Sequence, residues 1–257
     1  MTQSLRYSLL DPTGNITLLV ETSVPEEQQP QIAKELMLLE PDAEQIGFVS
    51  FGPNTVNLRM AGGEFCGNAS MSAAVLYLMR RNLKAGTIAV CVFGTPEPVR
   101  VTVSRQPDGA WNGSVCMPRP LSVGRETLPD GKKLPMVRFP GITHVIPEES
   151  MERETAEKLA PEWCRELNAD ALGLMFLNPE KDSLSPLVWV PAAETLFWES
   201  SCASGTTAVG VYLAEETGKH VNLRLRQPGG MLTIDADPDG TPVLSGTVRM
   251  LRDAAIT

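Results

Sequence analysis

Gly62-Gly63-Glu64-Phe65-Cys66-Gly67-Asn68-Ala69-Ser70 sets one cysteine among small residues, between a strand-like run and an apolar helical run at 71–78. A second stretch, Glu199-Ser200-Ser201-Cys202-Ala203-Ser204-Gly205-Thr206, does the same ahead of the run at 207–214. A thiol at a helix N-terminus meets the positive end of the macrodipole and main-chain N–H groups that have no partner within the helix. Both favour thiolate, so such a cysteine can react near neutral pH. Two of them, 136 positions apart in a chain of 257, point to a pair of thiols serving one substrate.

The repeat extends outward from the cysteines. A strand-like run at 14–21 precedes the helical run 31–37, and 141–148 precedes 154–160 in the same way. After the first cysteine helix come 99–103, a turn at Asp108-Gly109 and 112–117; after the second come 221–225, a turn at Asp239-Gly240 and 244–250. Apolar alternation around Asp-Gly is the mark of a hairpin. Each half therefore reads strand, helix, strands, Cys, helix, hairpin. The proline-rich piece at 117–140 is the best linker candidate, which sets the halves at 1–118, carrying Cys66, and 119–257, carrying Cys202. The expected class is α+β, a duplicated protein of two pseudo-symmetric halves with the active-site cleft between them.

Bulk composition narrows the function. A net charge of −9 argues against nucleic acid, which is bound through clustered Lys and Arg. No apolar run approaches the roughly 20 residues of a membrane span, and the first eight residues lack a basic and then apolar leader, so no membrane partner and a cytoplasmic location are expected. Five cysteines without CxxC spacing make a poor disulfide framework and a poor zinc site, so no metal is expected. Cys91, Cys116 and Cys164 read as structural, Trp189 and Trp198 as core, and His220 as solvated.

The cysteine motifs and duplicated layout resemble diaminopimelate epimerase and its relatives, the cofactor-independent amino-acid racemases. Gly14-Asn15 is similar to that family's early G-N-D-F, and Gly141-Ile142-Thr143-His144 to its G-N-P-H. Cys66-Gly67-Asn68 matches its C-G-N, and Cys202-Ala203-Ser204-Gly205 is a looser form of its second cysteine motif. Asn57 stands nine residues before Cys66, where the family has a substrate-binding asparagine. The resemblance covers the whole chain. It implies, for each half, a sheet curled around a central helix, with Cys66 and Cys202 as exchangeable acid and base. It also implies substrate contacts from Asn15, Asn57 and His144, and an amino-acid substrate with no cofactor. Main-chain N–H groups of Gly67-Asn68 and Ala203-Ser204 are the expected donors to its α-carboxylate, and Glu199 is a candidate to bind its ammonium group or to fix Cys202. A homodimer is allowed.

The departures concern the distal end of the substrate. The family's Glu-Arg pair would fall at Ala193 and Glu194, and no arginine occurs between Lys181 and Cys202. Ile142 replaces the asparagine of G-N-P-H, and the region around Ala171 lacks another. A second carboxylate would lose the bidentate clamp that arginine provides. The reading is a racemase of a monocarboxylic amino acid, similar to the histidine racemases of the superfamily. The alternatives are diaminopimelate epimerase with an unusual distal clamp, or an amino-acid-binding protein of the same fold without activity. A phenazine-biosynthesis-type isomerase shares the architecture but lacks the two-cysteine pair.

Overall fold

The computed structural model describes residues 4–93, 95–128 and 131–256. The first repeat runs β1 Leu5–Pro12, β2 Thr17–Val20, α1 Gln29–Leu39, β3 Gln45–Phe51, β4 Thr55–Met60, α2 Gly67–Met79, β5 Ala85–Val92, β6 Val99–Arg105 and β7 Trp111–Cys116. The second runs β8 Ser122–Thr127, β9 Lys133–Phe139, β10 Ile142–Val145, α3 Arg153–Glu166, β11 Leu172–Asn178, β12 Ser183–Val190, β13 Thr195–Trp198, α4 Ala203–Thr217, β14 Val221–Gln227 and β15 Gly230–Ala236. The long strand β16, Val243–Ile256, follows.

The chain forms two compact units, Met1–Cys116 with Ser245–Thr257, and Met117–Leu244. This differs from a cut at 118/119 in one respect: the C-terminal strand returns to the first unit. The physical reason is pairing. β1 and β16 match antiparallel from Leu5↔Ile256 to Pro12↔Val248, and β16 also neighbours β7, so it closes the sheet of that unit. Arg80, at the end of α2, pins the returning strand by bonding Glu21 at 2.6 and 2.8 Å and Asp253 at 2.7 and 3.0 Å.

Strand direction repeats faithfully. β2 is parallel to β3 as β10 is to β11, and β4 is parallel to β5 as β12 is to β14. β3–β4 and β11–β12 are antiparallel, as are β5–β6 and β14–β15. β8 pairs with β9 as β16 does with β1. The proline-rich segment is therefore not a bare linker, since it supplies both β8 and β9. The hairpin after α4 also has one more strand than the alternation suggests: β14 and β15 turn at Pro228-Gly229, and Asp239-Gly240 joins β15 to β16.

Each sheet encloses one helix. From Gly67 to Leu78, α2 is buried on every side, and it contains no charged residue to resist that. Its small side chains permit close approach, while Met71, Leu76 and Leu78 each contribute about 1.5–3 kcal/mol by burial. α4 is buried alike as far as Ala214, except for half-buried Leu213, and ends where Glu215 and Glu216 reach solvent. The outer helices are amphipathic. Ala156, Ala160, Trp163 and Cys164 of α3 follow helical spacing and meet Leu172, Leu174 and Leu187 of its sheet. Ala33 and Leu36 of α1 pack on Leu18, Val20, Ile46 and Phe48.

Candidate active site

Cys66 and Cys202 are the N-cap residues of the two enclosed helices, in extended conformation at φ −131°, ψ 114° and φ −122°, ψ 110°. The Ala69 N–H donates to Cys66 Sγ at 3.3 Å, and the Gly205 N–H to Cys202 Sγ at 3.4 Å. This is the N-cap bond that Ser, Thr, Asp or Asn ordinarily make, here given to sulfur. The fourth residue after each cysteine seals the turn: Ser70 Oγ donates to Cys66 O at 2.7 Å, and Thr206 Oγ1 to Cys202 O at 2.6 Å. Both cysteines are buried and neither is in a disulfide.

Beyond the caps the two surroundings diverge. In the first unit Cys66 Sγ donates to Gln45 Oε1 at 2.7 Å. Gln45 begins β3 beside Thr17 of β2. Its chain neighbour Glu44 accepts from buried Asn15 Nδ2 at 2.7 Å, and Asn15 Oδ1 is buried with no partner. Asn15 thus stands one residue removed from the partner of Cys66. Glu64 lies in the loop leading to Cys66, one carboxylate oxygen buried without a hydrogen bond, and burial raises its pKa.

In the second unit, by equivalent strand register, His144 takes the position of Thr17 and Gly173 that of Gln45. His144 Nε2 and Ser204 Oγ are 2.9 Å apart, and Ser204 Oγ lies 3.6 Å from Cys202 Sγ. Gly173 is required there, because a Cβ at that point would sit 2.2 Å from His144 Nδ1. Complete burial lowers His144 to a pKa of about 3, so the ring is neutral. The Cys202 thiol is pushed well above its ordinary value, first by burial and then by the Glu199 carboxylate, which accepts its proton. The Cys202 N–H donates to Gln227 Oε1 at 2.8 Å, and Gln227 Nε2 donates to Thr206 Oγ1 at 2.7 Å.

The site residues expected from sequence thus gather at the two caps, with one exception. Gly67 and Asn68 follow Cys66, and Ala203 and Ser204 follow Cys202, as the first helical residues. Asn57 is placed elsewhere. It sits mid-strand on the exposed face of β4, donates to Ser50 Oγ at 3.1 Å, and lines an open pocket of about 440 Å³ with Phe48, Cys91 and Phe93 but not Cys66. The count of nine residues ran back past the end of β4 at Met60, and strand alternation turned the side chain outward. Gly205 has a packing role, since a Cβ there would lie 2.0 Å from Met175 Sδ. His220 is paired with Asp235 at 3.1 Å. Gln45 and Gln227 are the additions that sequence reading missed.

No helix among the described residues is long and apolar enough to cross a membrane. The family model for the histidine racemase CntK N-terminal domain matches residues 4–249. A histidine racemase of Fusobacterium nucleatum is 34% identical over 244 residues, 90% of this chain and 89% of its own. The chain belongs to the CntK histidine racemase family. It is an isomerase that racemises an amino acid. The fold is also that of more distant solved structures. A predicted epimerase from Pseudomonas aeruginosa superposes with a TM-score of 0.72 at 16% identity, over 98% of this chain and 99% of its own. A hydroxyproline epimerase from Agrobacterium vitis gives 0.71 at 11% identity, over 99% and 93%.

Proposed function

We propose that the chain interconverts the enantiomers of histidine at Cα by a two-thiol mechanism without pyridoxal phosphate, in the manner of the diaminopimelate epimerase-like enzymes. The observation that carries the mechanism is the duplicated cap: two cysteines, one per unit, each accepting an N–H of a helix that its own sheet encloses. The histidine assignment rests on the CntK relatives and on the distal region, where exposed Glu194 and half-buried Ala193 supply no arginine for a second carboxylate.

In this reading the α-carboxylate of the substrate is bound by main-chain N–H groups of the N-terminal turns at Gly67-Asn68 and Ala203-Ser204. One sulfur, as thiolate, takes the Cα proton. The C–H electron pair passes onto the carboxylate, where main-chain N–H groups and helix dipoles stabilise it as an oxyanion hole would. The other sulfur, as thiol, delivers its proton to the opposite face, and the two sulfurs finish with their protonation states exchanged. Burial and Glu199 favour the thiol form of Cys202, and the half-cycle that draws on its proton needs Cys66 ionised, without the hydrogen it donates to Gln45 in this structure. Five cysteines without the spacing of a disulfide framework accord with a cytoplasmic enzyme in a reducing compartment.

The test is α-proton exchange of L-histidine in D₂O under reducing conditions, with no cofactor added, followed by NMR and chiral chromatography. Wild type exchanges the proton and inverts the centre, while Cys66→Ser and Cys202→Ser abolish inversion. Near-normal inversion by either variant overturns the two-thiol assignment.

A further inference from the structure

Resting on the reading above, we propose that Glu64 is the residue that receives the α-ammonium group of the substrate. Glu64 has one carboxylate oxygen buried with no hydrogen-bond partner, and the contact that favours its charged form is with its own main-chain N–H. An unpaired buried carboxylate is among the least favourable arrangements a fold can keep, and a cation that arrives with the ligand removes the penalty.

Location identifies that cation. Glu64 is two residues from Cys66, in the loop that leaves β4 at Met60 and turns where the Gly63 N–H donates to Met60 O at 3.0 Å. Two residues of chain span at most about 7 Å, so the backbone holds Glu64 beside the helix end that Cys66 caps. The ammonium nitrogen of an amino acid is one bond from the carbon whose proton the sulfur takes. A counter-ion for it must therefore stand near a reacting sulfur, and Glu64 is the carboxylate closest in the chain to Cys66.

Other buried or half-buried carboxylates already carry side-chain hydrogen bonds. Glu199, three residues before Cys202, accepts a hydrogen bond from the Cys202 thiol, while its Oε2 is buried without one. Glu44 accepts from Asn15 at 2.7 Å. Glu40 is held by Tyr7 Oη at 2.6 Å and by Arg252. The repeat thus places one glutamate just before each cysteine, the second bonded to its thiol and the first to its own main-chain N–H. The ligand class that fits is a primary α-ammonium carboxylate.

The experiment compares two ligands on the full-length protein: L-histidine, and 3-(imidazol-4-yl)propanoate, which lacks only the amino group. Glu64→Gln is expected to raise KM for L-histidine at least tenfold, with a smaller change in kcat, and to leave inhibition by the desamino acid within twofold of wild type. Glu64→Asp keeps the charge on a shorter stem and should recover part of the loss. Retained inhibition by the desamino acid shows that the variant is folded; if Glu64→Gln does not fold, the same comparison on Glu64→Asp decides, with a selective rise in KM expected. An unchanged KM for histidine, or equal losses for both ligands, overturns the assignment while a racemising wild type leaves the mechanism standing. A wild type that exchanges no α-proton overturns both.

Discussion

Replacing His144 by Gln should change how folding stability depends on pH, by an amount that follows from the burial of one imidazole. His144 is wholly buried, and its pKa falls from 6.5 to about 3 with loss of hydration as the cause. Below pH 6.5 the unfolded chain takes up a proton that the folded chain refuses until about pH 3. The unfolded state binds more protons across that window, so stability falls as pH falls. At about 1.36 kcal/mol per pH unit, moving from pH 7 to pH 4.5 removes roughly 2.5 kcal/mol through this group alone. Glutamine has no proton to gain, yet its amide can still reach the Ser204 hydroxyl. Urea unfolding of both proteins at the two pH values, followed by far-UV circular dichroism, isolates the effect because the carboxylates titrate in both. The stability gap between wild type and His144→Gln should shift by roughly 2.5 kcal/mol between pH 7 and 4.5, to the disadvantage of wild type at the acid end. A gap that stays constant within about 0.5 kcal/mol would show that the imidazole is hydrated or charged in the native protein, against the burial that fixes its role beside Ser204.

Two further perturbations test the same unit. Glu199→Gln removes the second of the two causes that raise the Cys202 pKa, so the pH midpoint for alkylation of Cys202 by iodoacetamide, read by mass spectrometry, should move down while burial keeps it above that of a free thiol; an unmoved midpoint refutes the pairing. Gly210→Ala adds a methyl whose carbon would lie 2.5 Å from Cγ1 of fully buried Ile234; overpacking at about 1–3 kcal/mol outweighs a helix-propensity gain of about 0.5–1, so the melting temperature should fall by roughly 2–6 °C.

What could be read from sequence followed from local pattern. The Cys caps declare themselves because a small-residue turn and an uncharged apolar run are contiguous in the chain, and because the pattern occurs twice. What could not be read depends on register between distant segments. Gln45 meets Cys66 across 21 residues and Gln227 meets Cys202 across 25, and only the parallel pairing of β2 with β3 and the hairpin of β14 with β15 bring them there. Asn57 was misplaced for the converse reason, since a spacing in sequence does not say where a strand ends and its loop begins. The return of β16 is a contact between the two ends of the chain, written in no local window.

The divergence around the two caps has a physical logic of its own. Each unit offers one volume beside its sulfur, and each fills it from a different strand: the first with Gln45 from β3, the second with His144 from β10. The two solutions exclude one another, because any side chain at Gly173 would collide with His144. Duplication has thus conserved the groups that hold the sulfurs and the helix ends while the residues that set each thiol's acidity drifted apart. Such drift is tolerable in a racemase and would not be in most enzymes. Enantiomers have equal free energy, so the equilibrium constant is unity and kcat/KM must be the same in both directions whatever the two thiols prefer. A difference in acidity between Cys66 and Cys202 therefore changes kcat/KM by the same factor for both enantiomers, and favours neither direction of interconversion.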